Sequence, residues 1–112
     1  MHEYGPTETI VAIVNDEARK HGASRVKKVN LVVGEHTGFV GGSIALYFEV
    51  IAKGTPAEGA ELALRYIPAE FKCTACATRF THTPGSFACP ACGSAGSPTK
   101  VGSEFYVESI EV

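Results

Sequence analysis

The sequence predicts an α+β fold: a small β-sheet carrying two helices, interrupted before its last strand by a cysteine-bearing insert. Three observations point there. Apolar residues recur at helical spacing near the start of the chain, and they alternate in three separate short runs further on. All four cysteines fall within residues 70–100, a stretch with no Ile, Leu or Val between Phe71 and Lys100. A chain of 112 residues suits one domain with an appendage and is too short for a barrel enzyme or a full dinucleotide-binding domain. At 45% apolar and 20% charged residues the composition is that of a globular protein, which excludes wholesale disorder.

Residues 6–22 read as the first helix. Ile10, Val11, Val14 and Ala18 form one face, with Asp16, Glu17, Arg19 and Lys20 on others. Pro6 suits a first turn, Glu8 sits near the positive end of the dipole, and Gly22 after Arg19-Lys20-His21 is a stop signal. Residues 25–33 read as a strand in which Val29, Leu31 and Val33 alternate with Lys28, Asn30 and Val32. A glycine-rich loop runs from Gly34 to Gly42. Ser43 is then the expected cap of a second helix, 44–53, stopped by Gly54 and buried through Leu46, Tyr47, Val50 and Ile51. Leu62, Leu64 and Tyr66 alternate in a further strand. In the tail, Tyr106, Glu108, Ile110 and Val112 alternate in a last strand expected to return to the first sheet. The aliphatic-poor segment 70–100 lacks the residues for an apolar core of its own and needs another source of cohesion.

Ten Lys and Arg against twelve Asp and Glu give a formal charge of -2, so nothing demands nucleic acid or an anionic membrane as partner. Residues 1–9 are polar and acidic where a signal peptide would be basic. The longest apolar runs, Ile10 to Val14 and Ile44 to Phe48, fall far short of a membrane span. The expected location is cytoplasmic, where thiols stay reduced unless they are catalytic or bind metal.

Cys73-x-x-Cys76 and Cys89-x-x-Cys92 form two knuckles with twelve residues between them. Each knuckle presents two thiolates from one tight turn, and two knuckles make a tetrahedral four-cysteine site of the kind structural zinc favours. Four cysteine ligands leave no open position for catalysis. Disulfides conflict with the expected compartment, and a redox Cys-x-x-Cys wants one pair beside a βαβ unit rather than two in a loop. An iron–sulfur centre is the minor alternative. A nucleic-acid-binding zinc ribbon would want clustered cations. Here Lys72, Arg79 and Lys100 are opposed only by Glu70, with Phe71, Phe80 and Phe87 as aromatics. With zinc and four thiolates bound the formal charge falls to -4 (-2 plus -4 plus 2), which weakens that reading further.

The amino terminus, Met1-His2-Glu3, carries a second set of donors. A deprotonated α-amine, the His2 amide nitrogen and imidazole, and the Glu3 amide nitrogen or carboxylate form fused chelate rings around one ion. Nitrogen and oxygen donors in a tetragonal array suit Ni(II) or Cu(II).

Taken together, these features resemble the HypA/HybF nickel metallochaperones, which help mature nickel–iron hydrogenase and, in some organisms, urease. The likeness spans essentially the whole chain. It runs through Met1-His2-Glu3, Lys20-His21-Gly22-Ala23, Val33-Gly34, Ser43-Ile44-Ala45-Leu46, Gly59, the paired knuckles and the closing Ile110-Glu111-Val112. Gly5-Pro6-Thr7 departs from it. The resemblance implies a small mixed β-sheet with two helices as a nickel-binding part, residues 1–69 and 101–112, and an inserted four-cysteine, zinc-ribbon-like subdomain, residues 70–100. It implies Ni(II) held through Met1, His2 and Glu3, zinc held by Cys73, Cys76, Cys89 and Cys92, and no enzymatic activity of its own. It further implies nickel transfer with a HypB-like GTPase partner to the hydrogenase large subunit. The glycine-rich loop lacks the Lys of a phosphate loop, so this chain is expected to hydrolyse no nucleotide itself.

His36 and His82 are candidates for assisting metal binding or sensing, while His21 belongs to a helix end. The competing readings are a nucleic-acid-binding or adaptor zinc ribbon, a plain scaffold with structural zinc, and a metal-dependent hydrolase. The hydrolase lacks both His-Glu-x-x-His and a Ser-His-Asp set. The expected assembly is a monomer or a homodimer, and an insert on two short linkers is open to exchange between protomers.

Overall fold

The structure, a computed structural model, describes residues 2–112. Its elements in chain order are α1 (Tyr4–Lys20), β1 (Lys28–Gly34), a 3-10 turn (Glu35–Thr37), α2 (Gly41–Ile51), β2 (Glu61–Ile67), β3 (Glu70–Cys73), β4 (Arg79–Thr81), β5 (Gly96–Pro98) and β6 (Phe105–Glu111). They cluster into two compact units. One comprises residues 2–32, Phe39–Arg65 and Phe105–Val112; the other comprises Val33–Gly38 and Tyr66–Glu104.

In the first unit, α1 buries Ile10, Val11, Val14 and Ala18, the face that the sequence periodicity predicts. The helix begins two residues earlier than expected. Pro6 is its third residue, one of the first-turn positions whose N–H has no intrahelical acceptor, so the ring breaks no bond. At the other end Gly22 takes a left-handed φ of 65°. The amide of Gly22 donates to the Arg19 carbonyl and that of Ala23 to the Ala18 carbonyl, the paired bonds of a Schellman stop. Asn15 is buried on α1, and its Oδ1 accepts the Ala57 amide at 3.0 Å, so the polar group is satisfied.

Helix α2 departs from expectation twice. Its cap is Val40 in extended backbone, and Ser43, the expected cap, lies inside the first turn. The Val40 amide donates to Glu3 Oε1 at 3.0 Å. A capping box supplies that acceptor from a Glu three residues into the helix; here the position holds Ser43, and Glu3 supplies it from 37 residues upstream. The buried stripe is Ile44, Phe48 and Ala52, spaced i, i+4, i+8, rather than Leu46, Tyr47, Val50 and Ile51. Leu46 and Val50 are 58% and 52% exposed. The run from Ile44 to Ala52 is apolar on every side but for Glu49, so its periodicity selects no face and packing decides.

The sheet order is β2-β1-β6, so the tail strand does return to the first sheet. Lys27 donates to the Glu111 carbonyl and Asn30 reaches Ser109, so β6 runs antiparallel to β1. Glu61 at the start of β2 donates to the Lys27 carbonyl beside the start of β1, and α2 makes the crossover between these parallel strands. The sheet is therefore mixed. Val32 is buried together with Val29, Leu31 and Val33, so β1 is covered on both faces as a central strand should be.

The second unit holds a three-stranded antiparallel sheet, β4-β3-β5, with Phe71 opposite Phe80 and Pro98. The expectation that this segment has no core needs correction. Ala69, Phe71, Cys73, Phe80 and Cys89 form one, built from rings and sulfur instead of aliphatic chains. Phe71 stacks on Phe80 at 5.9 Å between centroids and meets Phe87 edge-on at 5.5 Å. A Cβ at Gly96 would lie 2.6 Å from the Phe80 ring, so the absent side chain lets β5 lie against the stack.

Candidate metal centre

The two knuckles are copies of one turn. In the first, the Cys73 amide donates to the Thr78 carbonyl at 2.8 Å, and the Ala77 amide donates back to the Cys73 carbonyl at 3.1 Å. In the second, Cys89 donates to Ser94 at 2.8 Å and Gly93 to Cys89 at 2.8 Å. Within each turn, amides point at the first sulfur: Ala75 and Cys76 at Cys73 Sγ, both at 3.4 Å, and Ala91 at Cys89 Sγ at 3.3 Å. The leading cysteines, Cys73 and Cys89, are buried, while Cys76 and Cys92 are exposed.

All four sulfurs lie within 4.8 Å of one another, with Cys73 to Cys92 at 3.4 Å and Cys76 to Cys89 at 3.6 Å. A hydrogen bond from Thr78 holds the Cys76 thiol down to about 6, and bonds at Ser94 lower that of Cys92. Cys73 goes the other way. The amides of Cys76 and Ala75 favour its thiolate, but burial and the adjacent Cys92 thiol outweigh them. Thiolates so close repel unless protons or a cation lie among them. Zinc bonded to four thiolates at about 2.3 Å sets neighbouring sulfurs about 3.8 Å apart, close to the pair distances here. The donor set fits a single tetrahedral ion.

The histidines between and before the knuckles are held by protein groups. His82 Nε2 lies 2.7 Å from Glu35 Oε2, and Glu35 Oε1 accepts the Ala69 amide at 2.8 Å. His36 Nε2 lies 3.0 Å from the Glu70 carbonyl, and the rings of His36 and His82 both meet Phe71 edge-on. Glu35 carried no sequence signal: it sits in a glycine-rich loop with no periodicity. Of the ribbon's three cations, Arg79 is tied to Glu70 at 3.0 Å, which thins the electrostatic footprint a nucleic-acid ribbon would need.

At the amino terminus, Met1 lies outside the described residues. His2 is exposed. Glu3 is buried at 6% exposure as the cap of α1, and its carbonyl accepts both the Thr7 amide at 2.9 Å and the Thr7 hydroxyl at 2.6 Å. The Val40 amide, the largest influence, holds its carboxyl at about 2. Sequence reasoning picked out Glu3 as a donor and missed its bond to Val40, which no local pattern announces. No helix among the described residues is long and apolar enough to cross a membrane.

Comparison with known proteins gives one consistent answer. The family profile described as hydrogenase/urease nickel incorporation, metallochaperone, hypA matches residues 1–112. A hydrogenase maturation factor HypA of Caldanaerobacter subterraneus is 43% identical, covering 100% of this chain and 99% of the relative. Another from Dehalococcoides mccartyi is 36% identical over 100% of this chain and 94% of its own. Among solved structures, the nickel metallochaperone HypA from Helicobacter pylori shares the fold at a TM-score of 0.66 and 22% identity, covering 98% of this chain and 96% of that one.

Proposed function

Because the chain belongs to the HypA family of hydrogenase/urease nickel-incorporation metallochaperones, which are maturation factors and not enzymes, we propose that it carries Ni(II) at its amino terminus. The cargo is held by Met1, His2 and Glu3, and Zn(II) is held by Cys73, Cys76, Cys89 and Cys92. Residues 1–69 and 101–112 form the nickel-binding part and residues 70–100 the zinc-binding part. The protein works in the cytoplasm, as a monomer or homodimer, with a HypB-like GTPase. It delivers nickel to the hydrogenase large subunit, and to urease maturation proteins where urease is the client.

The observation that carries this reading is the contrast between neighbours. His2 is exposed while Glu3 is anchored as the helix cap. His2 is thus presented to solvent at the start of a fixed helix. Few of these donors are preformed, and the amine, amide and imidazole nitrogens all bind nickel in competition with protons. That combination suits a carrier, which must select an ion and also release it. Zinc, when bound, supplies cohesion to the ribbon by tying four thiolates to one ion and leaves no open coordination position.

The test is anaerobic calorimetric titration of nickel into the untagged chain. We expect one ion per chain, with affinity falling as pH drops, because protons compete with nickel for the same nitrogen donors. His2→Ala, or an uncleaved extension before Met1, is expected to abolish the site. Undiminished binding by the extended chain would refute the amine ligand.

A further inference from the structure

In the first sheet β2 and β6 are the edges, with β1 between them. Strand β2 runs parallel to β1, and the Glu61 amide points inward to the Lys27 carbonyl at 2.9 Å. The backbone groups of successive residues point to opposite sides of a strand. Those of Leu62 and Leu64 therefore point away from β1, and an open row of N–H and C=O groups is a template for a further strand. Both leucines are left half-buried on this edge. On the helix face a recess of about 380 Å³ opens beside Leu62, bounded by Ala45, Phe48 and Glu49 of α2 and by Ala60. All of these residues lie within one compact unit.

The edge is complementary to itself. Glu61-Leu62-Ala63-Leu64-Arg65 has the same outline from either end, with charges of opposite sign at its two ends. Laid antiparallel on a second copy about Ala63, it sets Leu62 opposite Leu64 of the copy, and these outward-pointing pairs exchange both backbone bonds. Glu61 then faces Arg65 of the copy, and Arg65 faces Glu61. Within one chain Lys28 already lies 3.7 Å from Glu61, and Arg65 lies 2.6 Å from Glu108. Across the seam the open face carries Lys28, Glu61, then Arg65 and Glu108 of the copy, a row of alternating sign, with its mate running the other way. On the helix face the incoming Leu64 falls beside Leu62, where the recess receives it. The opposite edge lacks this match, because β6 carries Glu108 and Glu111 and no cation, so self-pairing there gathers like charges. We propose that the chain forms a two-fold dimer through β2, joining two three-stranded sheets into one of six strands. Of the two assemblies put forward above this selects the homodimer and names its seam, and it is independent of the nickel reading.

The experiment uses the full, untagged, zinc-loaded chain and combines sedimentation with cross-linking. Sedimentation over a range of chain concentrations should show a monomer passing to a dimer. Arg65→Glu opposes two carboxylates at each end of the seam and should weaken the dimer about tenfold or more, with Arg65→Gln in between. Ala63→Cys reads the register directly. Ala63 meets its own copy on the two-fold axis, with Cα atoms about 4.5 Å apart, within reach of a disulfide. Glu61→Cys is the control, since in this register its thiol stands about 13 Å along the seam from that of the copy. Under a mild oxidant, Ala63→Cys should link about tenfold faster than Glu61→Cys, although Glu61 is the more exposed residue. Mass spectrometry locates the link between the introduced thiols.

A chain that stays monomeric at every concentration would overturn the seam and leave nickel binding untouched. A dimer that links no faster through Ala63→Cys than through Glu61→Cys would place the contact elsewhere, including in an exchange of the cysteine-bearing insert, and would overturn it too. So would a dimer that Arg65→Glu leaves at wild-type strength. The cross-linking comparison does not depend on Arg65, so a fold disturbed by losing the bond to Glu108 would not rescue or sink the proposal.

Discussion

Ala77 and Gly93 stand at the same place in two copies of one turn, each four residues after a leading cysteine, and both have left-handed backbone with φ of 63° and 79°. Each donates its N–H to the carbonyl of that cysteine. Glycine takes this conformation freely, whereas a Cβ there costs about 1–2 kcal/mol. Ala77 is the one non-glycine residue with positive φ among those described. The first knuckle thus holds strain that the second avoids.

Ala77→Gly should therefore stabilise the ribbon. Part of the relief is offset by the greater freedom of glycine in the unfolded chain, which leaves a net gain of about 0.5–1 kcal/mol. Gly93→Ala should move the other way by a similar amount. Chemical denaturation of the zinc-loaded protein, read at the ribbon, measures both. A lowered midpoint for Ala77→Gly would contradict the equivalence of the two turns.

Gly34 offers a harder test of packing. A Cβ there would lie 2.0 Å from the Gly102 carbonyl oxygen and 2.7 Å from the Glu104 amide nitrogen, both backbone atoms. The Gly34 amide donates to the Glu104 carbonyl and the His36 amide to that of Gly102, so neither side can retreat without losing bonds. Gly34→Ala should cost about 3 kcal/mol or more, at the upper end of overpacking effects. Gly38→Ala is the contrast. Nothing lies within 4 Å of its Cβ, so only its left-handed φ of 70° is penalised. Equal midpoints for the two variants would show that the close approach is absent in solution.

These cases mark what the sequence could and could not disclose. Short-range order was legible. The stop at Gly22, the buried face of α1 and the two knuckles each depend on residues a few positions apart. Relations across distance were not. Glu3 with Val40 spans 37 residues and Glu35 with His82 spans 47, and neither leaves a periodic trace. The face of α2 was illegible for a different reason, since an all-apolar helix offers no contrast to read. The ribbon's core escaped because a search for Ile, Leu and Val overlooks rings and sulfur doing the same job.

His82 and Glu35 make a pH-dependent pair. A hydrogen bond from the His82 ring to the Glu35 carboxylate raises the His82 pKa, while the Ala69 amide and then His82 lower that of Glu35. A raised histidine contributes stability that is complete below its unfolded value, about 6.5, and is lost as pH rises through the folded value. A lowered carboxylate contributes above its unfolded value, about 4.3, and is lost as pH falls through the folded one. The contact is thus strongest between those limits. The groups around His82 are Glu35, the rings of Phe71 and Phe87, and His36 beyond Glu35. An NMR titration should find His82 titrating above an ordinary histidine, and Glu35→Gln should return it toward normal. An unshifted His82 in wild type would remove the pair from the account.

Removal of the metal should unfold the second unit while sparing the first. The ribbon's core has five residues, and two of them, Cys73 and Cys89, are proposed ligands. A core this small leaves the ribbon's cohesion to ligation, which in small zinc modules supplies about 10–16 kcal/mol. The first unit stands differently, because Ile10, Val11, Val14, Val29, Leu31, Ile44 and Phe48 bury an aliphatic core that involves no thiol. A strong chelator under reducing conditions should therefore collapse the shift dispersion of Phe71, Phe80 and Phe87 while the signals of α1 and α2 persist. Ribbon rings that keep native shifts in a verified metal-free, reduced sample would show that hydrogen bonds and aromatic stacking suffice, and would withdraw the structural role from the four cysteines.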